Sequence, residues 1–115
     1  MDTKVYSGWR NPAELNTAGD CTVTVDGRTL TPARSLKVRN HSPAGFNWGY
    51  GGSGPAQLAL AILLDYLDDE VLAQRYYQDF KFTYVARWSA EDSWVLTGHE
   101  IDSFLSSKVA HEKVQ

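Results

Sequence analysis

The chain has one cysteine, Cys21, in 115 residues, so no internal disulfide can form and a disulfide-stapled scaffold is excluded. Its three histidines are dispersed and, with a single cysteine, offer no zinc-ligand spacing. The longest apolar run, Leu58 to Leu64, falls far short of the roughly 20 residues that span a bilayer. Met1 is followed by polar residues instead of the basic and apolar regions of a signal peptide. A cytoplasmic protein is expected, with no membrane association, metal or cofactor.

Basic charge is also scarce. The net charge is −3, and it is divided unevenly: six Lys/Arg against four Asp/Glu up to Gly54, then five against ten. Overall acidity argues against general nucleic-acid binding, which needs a strongly basic face, and leaves room only for a small local basic patch. The length suits a single domain over 1–115 that buries roughly two thirds of its unfolded surface without staples.

What the chain does have is a concentrated run, Gly45-Phe46-Asn47-Trp48-Gly49-Tyr50-Gly51-Gly52-Ser53-Gly54, leading through Pro55-Ala56-Gln57 into Leu58-Ala59-Leu60-Ala61-Ile62-Leu63-Leu64. Five glycines and three aromatics in ten residues imply a backbone path closed to ordinary residues. Gly54 at the cap and Pro55 at the first helical position predict a helix start. From Pro55 to Leu64 only Gln57 is polar, so this helix is expected to be buried all round.

The flanks predict an α+β fold: 1–44 mainly β, 45–54 a glycine and aromatic loop, 55–108 mainly α. Val5 to Arg10 reads as a strand ended by Asn11-Pro12. Cys21 to Leu30 reads as a hairpin about Asp26-Gly27. Ser35 to His41 alternates with period two and predicts a strand with Lys37, Arg39 and His41 on its polar face. Leu72, Tyr76, Phe80 and Tyr84 recur every four residues, predicting a helix over 69–87, although Phe82 to Val85 also has strand composition. Trp94-Val95-Leu96 reads as a short strand. Thr97-Gly98-His99-Glu100 is a capping box opening a last helix that ends near Lys108, with 109–115 frayed. Together these give a small antiparallel sheet packed on a buried central helix, plus two further helices.

The loop is the candidate site. Free N–H groups at the start of the buried helix, near Ser53, Ala56 and Gln57, carry the positive end of its dipole and favour an anion. Lys37, Arg39 and His41 would add positive charge, and Gly51, Gly52 and Gly54 would let the backbone close on a phosphate. Phe46, Trp48 and Tyr50 alternate, which in an extended chain puts three rings on one side, with Trp48 or Tyr50 free to stack a base. The competing account is that the rings fill the core and the glycines serve packing. Neither a P-loop nor a dinucleotide-binding fingerprint fits: Pro55-Ala56 stands where the P-loop lysine belongs, and Gly49, Gly51 and Gly54 lack a βαβ setting. His41, beside Ser42, is a weak catalytic candidate without a partner. His99 and His111 read as surface residues, Asp65, Asp68, Asp69 and Glu70 as helix caps instead of a divalent-ion cluster, and Cys21 as a small core residue.

The run from Gly45 to Ala59 resembles the signature of a family of small proteins of unknown function found in bacteria, plasmids and phages. Tyr6-x-Gly8, a hairpin ahead of His41-Ser42-Pro43, a helix over Tyr77 to Phe80, and Trp94-Val95-Leu96-Thr97 carry the resemblance over nearly the whole chain. Members of that family often have an acid where this chain has Asn47. The resemblance implies a mobile-element setting and no assigned activity.

Three functions follow as expectations. The first is a non-enzymatic protein holding a small anion or nucleotide at the glycine-rich loop. The second is a module engaging a protein partner through Trp9, Trp88 or Trp94. The third is a small hydrolase or transferase using His41. A monomer or homodimer suits all three.

Overall fold

The computed structural model describes residues 3–12 and 21–114. Four antiparallel strands, β1 (Val5–Arg10), β2 (Cys21–Val25), β3 (Arg28–Thr29) and β4 (Trp94–Thr97), form one sheet in the order β3-β2-β1-β4. The hairpin forms as its sequence predicts: Asp26 and Gly27 both take positive φ, 49° and 82°, as a tight two-residue turn requires. Tyr6 lies opposite Val25 on one side and Leu96 on the other, and Gly8 lies between Val23 and Trp94. Period two then sends Tyr6, Val23, Val25 and Leu96 to the buried face. Gly8 is fixed by contact, because a Cβ there would meet the Trp94 indole at 2.5 Å.

Four α-helices follow: α1 (Ala33–Val38), α2 (Ser53–Leu67), α3 (Glu70–Thr83) and α4 (Gly98–Val114). The α+β class is as the sequence predicts, with α2 buried continuously from Gly54 to Leu64. Leu58, Leu60, Ile62, Leu63 and Leu64 have no exposed surface. Each contributes on the order of 1.5–3 kcal/mol by leaving water. This helix is therefore the platform against which sheet and loop are placed.

Several boundaries differ. The Ser35–His41 strand does not form, and Ala33–Val38 is a helix with Ser35 on its buried side. Six residues are too few for period two and period 3.6 to be told apart by composition, and a buried partner for Ser35 settles the outcome. Helix α2 begins at Ser53 with Gly52 as its cap, two residues ahead of the expected start. Helix α3 stops at Thr83, and a 3-10 turn over Val85–Arg87 replaces both the expected last turn and the strand alternative. Helix α4 continues beyond Lys108 to Val114, where fraying was expected; Gln115 lies outside the described residues.

The acidic residues around the α2–α3 junction have structural work. Asp65 accepts from the Tyr6 hydroxyl at 2.5 Å and from Lys4 Nζ at 3.1 Å. Burial, with the bond to Asp65, drives the Tyr6 phenol well above its ordinary pKa. Asp68 ends α2 in the left-handed region, and Asp69 caps α3 by accepting from Leu72 N at 3.1 Å. At the other end, Thr97 Oγ1 accepts from Glu100 N at 3.2 Å while Glu100 Oε1 accepts from Thr97 N at 3.1 Å, the reciprocal pair of a capping box. Phe104 of α4 meets Phe80 of α3 edge-on at 5.2 Å, closing the helical layer.

Candidate functional site

The glycine-rich loop is held by Arg10. Its Nη2 donates to Asn47 Oδ1 at 2.7 Å and to Ala90 O at 2.5 Å, and its Nε donates to Ala90 O at 2.8 Å. The guanidinium carbon stands 3.9 Å over the Trp48 ring. Asn47 Oδ1 also accepts from Trp48 N at 2.9 Å, which fixes the orientation of the carboxamide. Gly49 passes against the 85–90 segment with φ +90°, its N–H donating to Val85 O at 3.0 Å. A Cβ at Gly49 would lie 2.5 Å from Ala90 Cα. Here glycine is required by both conformation and space.

This path separates the three loop aromatics that an extended chain would align. Trp48 is wholly buried, donates from Nε1 to Asp92 O at 3.1 Å and meets Trp94 edge-on at 5.8 Å. It belongs to the core and offers no face to a ligand. Phe46 is half-buried against the core, and Tyr50 is 47% exposed. The Tyr50 ring lies over Gly52, and its hydroxyl lies 3.3 Å from where a Gly54 Cβ would stand.

Between the β2–β3 hairpin and segment 42–54 runs a groove of about 760 Å³. Thr22, Thr29, Ser42, Asn47, Tyr50 and Ser53 are among its walls, and none of its lining, among the described residues, is charged. Gly54 closes it at the start of α2. Ala56 N donates to Gly52 O at 3.1 Å, and Pro55 has no N–H, so the free amides at this helix end are those of Ser53 and Gly54 among the described residues. The sequence places free amides near Ala56 and Gln57 as well, but these residues are already inside the helix.

Gln57, expected to face a ligand, is wholly buried and serves the scaffold. Its Oε1 accepts from His41 N at 2.7 Å and Ser42 N at 3.0 Å. Its Nε2 donates to Ser35 Oγ at 2.8 Å and Arg39 O at 3.0 Å. One side chain thus ties α1 and the segment that follows it to α2, which accounts for a polar residue in an otherwise apolar helix.

Lys37 and Arg39 are exposed on and just after α1, outside the groove lining, and Arg39 Nε donates to Gln74 Oε1 at 3.3 Å. His41 Nε2 is 2.6 Å from the Tyr77 hydroxyl. Burial, then the charges of Arg39 and Lys81, hold the imidazole below its ordinary pKa, so it is neutral near pH 7. Lys81 is 6% exposed; its Nζ donates to Gly51 O at 3.2 Å and sits 4.1 Å from the Phe82 ring centre. The loop is therefore latched to α3 by His41 with Tyr77 and by Gly51 with Lys81.

Of the expected ligand-binding residues, Tyr50, Ser53 and Gly54 share the groove, and Gly51 and Gly52 complete its loop. Arg10, Asn47 and Lys81 organise the same place; sequence reasoning marked Asn47 only as a departure from an acid and did not single out Arg10 or Lys81. Arg10 ends a strand like many others, and its partners lie 37 and 80 residues away. Only the Tyr77 to Lys81 spacing, one helical turn, hinted that two polar groups share a face.

The profile of a family of unknown function (DUF6166) matches residues 6–107. No curated protein and no solved structure matches the chain.

Proposed function

This chain belongs to the DUF6166 family, and we propose that it is a non-enzymatic protein that holds a small ligand, of the small-anion or nucleotide class, in the groove beside the glycine-rich loop. The observation that carries the reading is the groove itself: about 760 Å³ of space walled by the loop and the start of α2, within the usual range for small-molecule sites. The two free amides of Ser53 and Gly54 stand at one end of it to receive an acceptor atom, and the half-exposed Tyr50 ring offers a stacking face. The scaffold supports it too, since Arg10, Gln57 and Lys81 pin the loop before any ligand arrives. The setting we propose is the cytoplasm of bacteria carrying plasmids or phages, with the protein withdrawing a small molecule from circulation.

His41 has little to recommend it as a catalyst, being tied to Tyr77 with its backbone bonded to Gln57. The test is mass spectrometry of small molecules released by heat from the purified protein, beside a Thr29→Trp variant that fills the groove. A molecule carried by the wild type and missing from the folded variant upholds the reading; identical release from both, or none from either, counts against it.

A protein-partner reading has one observation in its favour. Trp94 is buried and so leaves the expected interface, and Trp88 is half-buried and stacked on it at 4.2 Å, but Trp9 and Val95 remain 42% and 63% exposed. They lie with Val5 on the sheet face away from the core.

A further inference from the structure

We infer that the groove recognises the ring portion of a nucleoside, with Asn47 reading a ring carbonyl, and leaves any phosphate outside; this rests on the small-ligand reading above and narrows it. Three observations lead there.

The first is the state of Asn47. Its Oδ1 is occupied by Arg10 Nη2 and Trp48 N, both donors, so the amide cannot flip and its Nδ2 group faces away from them. Among the described residues nothing accepts from Nδ2, and Asn47 lines the groove. An amide NH₂ without a protein partner, on a residue of the cavity wall, is available to a ligand acceptor.

The second is charge. No cationic side chain lines the groove among the described residues, and each cation near the loop is committed elsewhere: Arg10 to Asn47 and Ala90, Lys81 to Gly51 O, Arg39 to Gln74. A triphosphate entering this space would lose hydration with no cationic side chain in the described wall to bond it directly. A carbonyl has a much smaller hydration to lose, and the Asn47 amide restores it.

The third is the remaining wall. Tyr50 presents a half-exposed ring, while Thr29, Ser42 and Ser53 place hydroxyls along the groove. A flat base on Tyr50, its carbonyl on Asn47 and ribose hydroxyls on the Thr and Ser side chains use the aromatic, amide and hydroxyl groups of the lining.

The experiment is isothermal titration calorimetry of the full chain with the four common ribonucleosides and their 5′-triphosphates, on wild type, Asn47→Asp, Thr29→Trp and the distant control Trp9→Ser. Asn47→Asp keeps the oxygen that Arg10 and Trp48 N need and replaces the N–H donors with an acceptor, so its melting temperature should not fall. The expected result is binding of at least one nucleoside, its triphosphate within about threefold, with the affinity reduced by about tenfold or more in Asn47→Asp, abolished in Thr29→Trp and retained in Trp9→Ser. A triphosphate bound about tenfold or more tighter than its nucleoside, or equal binding by Asn47→Asp, overturns the inference. Silence from all eight probes overturns it as well. In that event, a groove-dependent molecule of another class among the heat-released compounds leaves the broader reading standing, and no such molecule brings both down.

Discussion

Arg10 donates to the Asn47 side-chain oxygen at 2.7 Å, across 37 residues of sequence, and this bond joins the end of β1 to the middle of the glycine-rich loop. With the two bonds to Ala90 O and the Trp48 ring beneath it, the guanidinium uses its planar fork and its face at once. Arg10→Lys keeps the charge and loses that geometry. It should destabilise the protein by about 2 kcal/mol in urea unfolding, and Asn47→Asp should be neutral or stabilising in the same assay. A cost from Asn47→Asp similar to that of Arg10→Lys would contradict the clamp.

Gln57→Leu matches the apolar surroundings and should still fail badly. It leaves Ser35 Oγ, Arg39 O and the N–H groups of His41 and Ser42 without their partner. Each unsatisfied group costs about 1–3 kcal/mol, so the sum should be at least 3 kcal/mol by chemical denaturation. A loss under 1 kcal/mol would show that water takes the place of the amide.

Gly49→Ala tests the loop path. The added methyl meets Ala90 while the backbone holds φ +90°, so the substitution should cost about 2 kcal/mol or more in thermal unfolding. Gly27→Ala, at φ +82° with open space around its Cβ, should cost less because only the conformational strain remains. Equal losses would remove the steric part of the argument.

His41 sets a pH dependence of known sign. Its pKa is lower in the folded protein, through burial and the charges of Arg39 and Lys81, so the unfolded chain binds the proton more readily. The associated stability is fully present above the unfolded value of about 6.5 and is lost as the pH falls from there through the folded value. Wild type should therefore lose melting temperature below about pH 6.5 more steeply than His41→Gln. Parallel curves for the two proteins would show that His41 is not the source.

Much of this fold is written locally. Asp26-Gly27 fixes the hairpin, the unbroken apolar run after Pro55 fixes the buried helix, and Thr97 with Glu100 fixes the start of α4, because each signal acts within four residues or along one continuous run. The elements that escaped were decided at a distance. Ala33–Val38 is helical because Ser35 finds Gln57, a partner 22 residues on. Trp48 and Tyr50 part company because Gly49 turns between them to pass Ala90. The same rule governs the site: the loop's composition marked the place, whereas the absence of charge from its groove, set by where Lys37, Arg39 and Lys81 go, needed three dimensions.

The most direct measurement is an amide chemical-shift map of ¹⁵N-labelled protein titrated with the small-molecule fraction of a bacterial extract. Shifts that saturate at Ser53, Gly54, Gly45 and the Asn47 side-chain NH₂, and that vanish in Thr29→Trp, are the predicted result. Shifts confined to Trp9, Val95 and their neighbours on the outer sheet face, or none at all, would contradict a ligand site at the glycine-rich loop.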